Sequence, residues 1–292
     1  MGIILFLLMN LAVMASIYFT IFLLELFFGI RLDHNTISGL LILSFIVGFS
    51  GALISLFLSK WMAKMHMGVE VIEEPRNEAE AWLVNTVAKL AKEAGIGMPE
   101  VGIFQGPPNA FATGWDRNNA LVAVSTSLLE MMSPEEVEGV LAHEISHIKH
   151  GDMITMTLLQ GVLNTFVFFF SRLLANILAP KDEEGNPSPI AYMAISFALE
   201  IALTIFATML AMWFSRYREY KADEGAVRLD GPRGIYYALA KLGQIPKEQV
   251  ALPSDMKAFG IVGFLDLFAS HPPIEKRLAH IKEVAQKMGY QL

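Results

Sequence analysis

Read for polarity alone, the chain alternates long apolar runs with stretches that mix charged and apolar positions. Four runs, residues 3–28, 37–58, 153–178 and 191–214, reach the about 20 residues that a helix needs to cross a bilayer. The first has no basic stretch ahead of it and is too long for the core of a cleaved signal, so a retained anchor is expected. Gln160, Asn164 and Arg172 interrupt the third run, and Glu200 lies near the middle of the fourth. An acid inside a span faces other helices more often than lipid, and a neutral, hydrogen-bonded Glu200 between helices is the expectation.

The two remaining stretches, about 61–152 and 215–292, are water-compatible. Residues 78–94 have the period of an amphipathic helix that Gly95 ends. Residues 101–104 and 120–124 are apolar runs of strand length, and Gly114, Asp116 and Asn118-Asn119 between them mark a turn. Ser133-Pro134-Glu135-Glu136 is a capping box with Pro at the first helical position. Behind it Val137, Leu141, Ile145 and Ile148 form an apolar stripe, and Gly151 is a stop signal. Residues 185–189, Gly-Asn-Pro-Ser-Pro, read as a loop.

Composition sharpens this picture. An apolar fraction of 54 % with only 17 % charged residues is unlike a water-soluble domain. The net charge of −7 argues against nucleic acid as a partner, and the absence of cysteine removes thiolate metal sites, disulfides and cysteine nucleophiles. Lys60, Lys64 and Arg76 follow the second run, and Arg216, Arg218 and Lys221 follow the fourth. The first connector offers Arg31 against Asp33, and the third, Lys181-Asp182-Glu183-Glu184, is net acidic. The basic bias puts both termini and both polar stretches in the cytoplasm.

The chemistry is concentrated on the capped helix. His143-Glu144-Ile145-Ser146-His147 fits H-E-x-x-H, which sets two imidazoles on one helix face to share a zinc ion. Glu144, rotated about 100° from His143, flanks the metal and would take a proton from the attacking water and pass it to the leaving amine. A catalytic zinc needs a third protein ligand, and His150, His271, His280 or a downstream carboxylate could supply it. His150 falls about 300° round from His147, off the metal side. A metzincin pattern would need Gly at 150 and His at 153, where this chain has His150 and Met153. The better candidate is Glu219 in Glu219-Tyr220-Lys221-Ala222-Asp223, with Asp223 one turn on holding a ligating imidazole from behind. The alternative is a solvated charged helix, since Arg216, Arg218, Lys221 and Glu224 lie close by. Two runs of spanning length separate His147 from Glu219, so an even number of crossings returns both to one side.

These blocks, with Asn109-Ala110-Phe111-Ala112-Thr113-Gly114 and Ser270-His271-Pro272-Pro273 followed by Arg277, resemble the HtpX family of membrane zinc metalloproteases, relatives of the CAAX prenyl endoproteases, over essentially the whole chain. The resemblance implies a mainly α protein with a small β-sheet, about four transmembrane helices and a cytoplasmic gluzincin-like protease domain. Its parts would be an N-terminal hairpin at 1–59, protease regions at 60–152 and 215–292, and a second hairpin at 153–214. It implies one zinc per chain held by His143, His147 and Glu219, and cleavage of misfolded membrane proteins in the bacterial inner membrane as quality control under stress. Asn109, Ala110 and Phe111 match a strand that binds extended substrate. His271 would donate to the oxyanion, and Arg277 would pair with a carboxylate to fix the last helix. A transporter would need polar residues recurring across several spans, and a catalytically dead zinc scaffold would have no use for Glu144.

Overall fold

A computed structural model describes residues 2–29, 36–244 and 271–292. Arg31, Asp33 and Ser270 lie outside these. The described chain falls into two compact units, residues 1–56 with 156–211, and residues 57–155 with 212–292.

The first unit is helical. α1 (Gly2–Phe28), the first part of α2 (Ile37–Met67), most of α6 (Asp152–Leu178) and the first half of α7 (Pro189–Asp230) are long and apolar enough to cross a membrane. Two of these helices outrun the apolar runs in the sequence: α2 continues past 58 to Met67, and α7 past 214 to Asp230. No Gly or Pro stands at either place, so backbone hydrogen bonding carries the helix on while the side chains turn polar. α2 and α6 approach closely, since a Cβ added at Gly48 would lie 2.3 Å from Thr165 Oγ1. Small residues at such crossings are what permits tight packing in lipid. Glu200 is hydrogen-bonded between helices, as expected, and its partner is the Arg172 guanidinium, with Nη1 2.5 Å from Oε2. The two cross-span partners sit on consecutive helices, and no periodicity in either run announces their pairing.

The second unit wraps helices around a four-stranded sheet of order β1-β2-β4-β3: β1 (Glu70–Val71), β2 (Glu100–Phe104), β3 (Ala110–Asp116) and β4 (Asn119–Ser125). β2 runs parallel to β4, and the other pairs are antiparallel. Between its polar ends, Asn119 and Ser125, β4 is apolar because both its faces are covered. Ala120, Val122 and Val124 join the main core under α3 (Glu78–Ala94) and α5 (Pro134–His150), while Leu121 and Ala123 pack with Val69, Phe104 and Phe111 on the other side. β1 is two residues long, too short to leave a sequence signal. The reversal falls at Arg117-Asn118, within the stretch where a turn was expected, while β3 itself runs on through Gly114 to Asp116. Gly114 takes a φ of +148°, and a Cβ there would meet Asn119 O at 2.3 Å. That residue marks an irregular register rather than the strand's end.

The helix termini follow local chemistry closely. Asn77 Oδ1 accepts from Glu80 N at 2.8 Å at the start of α3, and Ser125 caps the short α4 (Thr126–Met131). In α5 the Ser133 hydroxyl accepts from Glu136 N at 3.3 Å and Glu136 Oε2 accepts from Ser133 N at 2.7 Å, while Gly151 closes the helix in the left-handed region. Each such cap stabilises its helix by about 1 kcal/mol. α8 (Pro232–Gly243) and α9 (Ile274–Lys287) complete the core through Ile235, Ala238 and Ile281, none more than 2 % exposed. α9 thereby carries Arg277 into the interior.

Candidate metal centre and active site

α5 is amphipathic in an unusual sense: Leu141, Ile145 and Ile148 bury one side in the core, and His143 and His147 crowd the other. The part of α7 within the second unit runs against that second side. A Cβ added at Gly225 would lie 2.5 Å from Ser146 Oγ, so only glycine lets α7 come this near. Ala222 and Ala226, both fully buried, continue the small-residue face. The close approach delivers Glu219 and Asp223, one turn apart, to the two imidazoles.

His143 Nε2 and His147 Nε2 stand 3.1 Å apart; Glu219 Oε1 is 3.3 Å from the latter, and Glu219 Oε2 is 3.7 Å from the former. Tetrahedral ligands about 2.0–2.1 Å from a zinc ion would be about 3.3 Å from one another. The three separations bracket that value, so His143, His147 and Glu219 could together hold one such ion. The other ring nitrogens are engaged from behind. His143 Nδ1 is 3.0 Å from Asp223 Oδ1, and His147 Nδ1 is 2.6 Å from Asp152 Oδ2. A carboxylate at Nδ1 holds the proton there and leaves the Nε2 lone pair facing the cluster.

Arg277 ties the arrangement to α9. Its Nε and Nη2 reach Asp223 Oδ2 and Oδ1 at 2.9 and 2.6 Å, a bidentate pairing, and its Nη1 lies 3.0 Å from Glu219 Oε2. Arg218, beside Glu219 in sequence, donates to the Asp152 carbonyl at 3.1 Å and stands 3.7 Å from its carboxylate. Against these two guanidinium groups stand Glu144, Asp152, Glu219 and Asp223. With all four ionised the cluster carries the excess of negative charge that a divalent cation neutralises.

The electrostatics point the same way. Burial works against charge on His147, but its hydrogen bonds to Asp152 and Glu219 prevail and raise its pKa to about 10, so a proton competes with a metal ion for the Nε2 lone pair. Burial likewise disfavours the Glu219 carboxylate, yet His147, His271, His143 and Arg277 around it hold its pKa well below the ordinary range. The site is built to stabilise a cation between buried anions. Glu144 differs. Burial pushes its pKa upward against the opposing influence of His143 and His147, and the backbone N–H of Ala112 hydrogen-bonds to it. A carboxylate with its proton affinity raised beside the imidazoles suits proton transfer better than ligation.

That Ala112 contact places β3 alongside α5. β3 is an edge strand among the described residues, bonded on one side to β4. Ser125 N donates to Asn109 O at 2.8 Å, which makes 109 and 125 a hydrogen-bonded pair. With Ala110 opposite Val124 and Phe111 opposite Ala123, the alternation turns Asn109 and Phe111 peptide groups toward β4 and those of Ala110 and Ala112 outward. Of the three residues expected to meet substrate, Ala110 therefore presents its backbone to the open side, and Ala112 joins it. His271 is 66 % exposed with Nδ1 2.9 Å from Glu219 Oε2.

Sequence reasoning passed over Asp152 and Arg218. Asp152 follows the Gly151 stop and opens the next helix, where an acid is common enough to go unremarked. Its place five residues beyond His147, after a left-handed turn that folds the chain back, was the available signal.

Comparison with known proteins bears on the whole arrangement. The model of peptidase family M48 matches residues 77–285, which takes in α3 through most of α9 and every side chain of the cluster. The chain is 53 % identical to Protease HtpX of Shewanella baltica (strain OS195) over 259 residues, covering 86 % of this chain and 90 % of that one. It is 50 % identical to Protease HtpX of Tolumonas auensis over 291 residues, covering 97 % and 99 %. In fold it is similar to the crystal structure of S. mikatae Ste24p, with a TM-score of 0.61 at 18 % identity, over 91 % of this chain and 62 % of that longer one. With four helices of spanning length among the described residues, this is a multi-pass membrane metalloprotease. The chain belongs to peptidase family M48, among its HtpX proteases.

Proposed function

We propose that the metal is zinc, one ion per chain held by His143, His147 and Glu219, and that the enzyme is an endopeptidase acting on misfolded or damaged membrane proteins. The observation that carries this reading is the convergence of two Nε2 atoms and one carboxylate at 3.1–3.7 Å, with both Nδ1 atoms tied to acids. When bound, zinc supplies Lewis-acid polarisation of the attacking water and of the scissile carbonyl. Glu144 accepts the water's proton at its carboxylate and returns it to the departing amine. Ala110 pairs with an extended substrate through its outward N–H and C=O, and Ala112 through its C=O, its N–H being held by Glu144, which lays the substrate across the helix that bears Glu144. His271 donates to the oxygen on which negative charge develops. Asp223 and Asp152 orient the imidazoles, and Arg277 fixes Asp223.

The basic residues that follow the apolar parts of α2 and α7, and the acidic Lys181–Glu184 connector, favour a site facing the cytoplasm of a bacterial inner membrane, where clearing damaged membrane proteins serves the stress response. The test is metal content with cleavage measured in parallel. Purified full-length protein supplied with zinc should bind one ion and degrade an unfolded protein until a strong chelator is added. Glu219→Ala should lower zinc content as far as His147→Ala does. Full zinc occupancy in Glu219→Ala, or cleavage that persists in chelator, would remove the reading.

A further inference from the structure

Polar side chains also gather inside the membrane unit, where they are costly. Gln160 and Asn164 stand one turn apart on α6, and Glu200, Thr204 and Thr208 follow one face of α7. Together they line a cavity of about 230 Å³ floored by Val47 on α2. Part of the set is tied down within the protein. The Gln160 amide donates to Asn164 Oδ1 at 2.7 Å, and Asn164 donates to Gly48 O at 3.4 Å, on the helix held against α6 by the close glycine crossing. The outer rim is not covered: Gln160 and Thr204 are exposed, and the Glu200 side chain, paired on one side with Arg172, is still 41 % exposed. Hydrocarbon offers the exposed parts of these groups no hydrogen bond, so a polar group brought to the rim adds bonds to those they make within the protein. The cavity has room for one amide- or hydroxyl-bearing side chain.

We infer that this cleft receives a polar side chain from the transmembrane helix of a substrate, and so selects membrane proteins whose mid-membrane polar residues lack their proper partner. In an assembled protein such residues are buried against neighbouring helices, whereas an orphaned or misfolded helix presents them to lipid. The cleft would thus read the defect itself rather than a sequence. The inference rests on the protease reading, and on the same helix, α7, that carries both Glu200 and Glu219.

The experiment uses full-length protein in liposomes and two model substrates. Both carry the same water-exposed cleavable segment on a Leu/Ala transmembrane helix, one with Asn and one with Leu at its centre. The Asn substrate should show a KM about three- to tenfold lower at unchanged kcat, the range expected of one interhelical hydrogen bond. Gln160→Leu/Thr204→Val should erase the difference while leaving cleavage of the Leu substrate as it was. Equal KM values in the unaltered protein, or a preference that survives the double substitution, would overturn the inference. A soluble unfolded protein serves as control in the same liposomes. If it is cleaved in a chelator-sensitive manner without any preference between helices, the cleft reading alone falls; if nothing is cleaved, the protease reading falls with it.

Discussion

Both units of this protein bury charge, and they do so in opposite ways. In the catalytic unit, acids and bases from α5, α6, α7 and α9 form one continuous network, in which Asp223 alone meets His143 Nδ1 and two nitrogens of Arg277. In the membrane unit, the Arg172 guanidinium on α6 meets the Glu200 carboxylate on α7, and the other polar side chains lining the cavity beside Glu200 are amides and hydroxyls. The difference follows from what surrounds each. A water-compatible unit can draw partners from elements far apart in sequence and leave the surplus charge for a cation. A hydrocarbon-facing unit must neutralise each charge where it arises, because an unpaired one has nothing else to meet. Surplus charge in one place and strict pairing in the other are thus signs of different roles.

The sharpest way to probe the surplus is to remove the one acid that is not needed to hold the metal. Glu144→Ala should lower peptide cleavage by about 10³-fold while zinc content stays at one per chain. If cleavage survives, Glu144 belongs to the structural network and not to the reaction. A smaller loss is expected one step behind the ligands. Asp152→Asn keeps the shape beside His147 Nδ1 but removes the charge that orients the ring. Zinc affinity should fall about 10- to 100-fold, read by competition with a chromophoric chelator, with cleavage recovering at saturating zinc. Loss that zinc cannot restore would place Asp152 in the chemistry instead.

Strict pairing in the membrane unit is tested by a double-mutant cycle. Arg172→Leu leaves Glu200 without its cation, and Glu200→Leu does the reverse. Each should destabilise the protein by about 1–2 kcal/mol, less than a fully buried pair would because both side chains are partly exposed. The double variant should lose less than the sum, with a coupling near ~1 kcal/mol in thermal denaturation. Cleavage of a soluble peptide per folded molecule should not change. Strict additivity would mean that the two groups do not need each other.

How far these features could be read beforehand depended on how local they are. The cap at Ser133, the ends at Gly95 and Gly151, and the stripe through Leu141, Ile145 and Ile148 are settled within a turn or two of chain, and the structure follows the sequence there. The i, i+4 spacing of His143 with His147, and of Glu219 with Asp223, was legible for the same reason, whereas the meeting of the two pairs was implied only by the family resemblance. What spacing cannot supply is the partner across the fold. Asp152 beside His147, Arg172 opposite Glu200 and the outward turn of Ala112 each depend on how two elements meet, and β1 on a pairing of only two residues. The ends of α2 and α7 were not legible because hydropathy marks where lipid stops, and a helix has no reason to stop there.

The smallest effect expected lies within the catalytic unit itself, at a carboxylate that lacks the company Asp223 enjoys. Asp230, at the end of α7, is half-buried, and its neighbours include Glu138 and Glu135, with Lys89 already engaged by Glu138 at 2.8 Å. Burial first, and then repulsion from Glu138, raise its pKa to about 7 against the partial relief from Lys89. The folded protein therefore holds this proton more tightly than the unfolded chain, whose aspartates titrate near ~3.9. The stability so gained is complete below that lower value and is lost as pH rises through 7. Asp230→Asn mimics the protonated form at every pH. Its melting temperature should exceed that of the unaltered protein by about 1–3 °C at pH 8, with the gap closing as pH falls toward 5. Glu219 and Asp223, whose partners are cations, predict the reverse slope, so a gap that widened on acidification would mean that Asp230 is paired as they are.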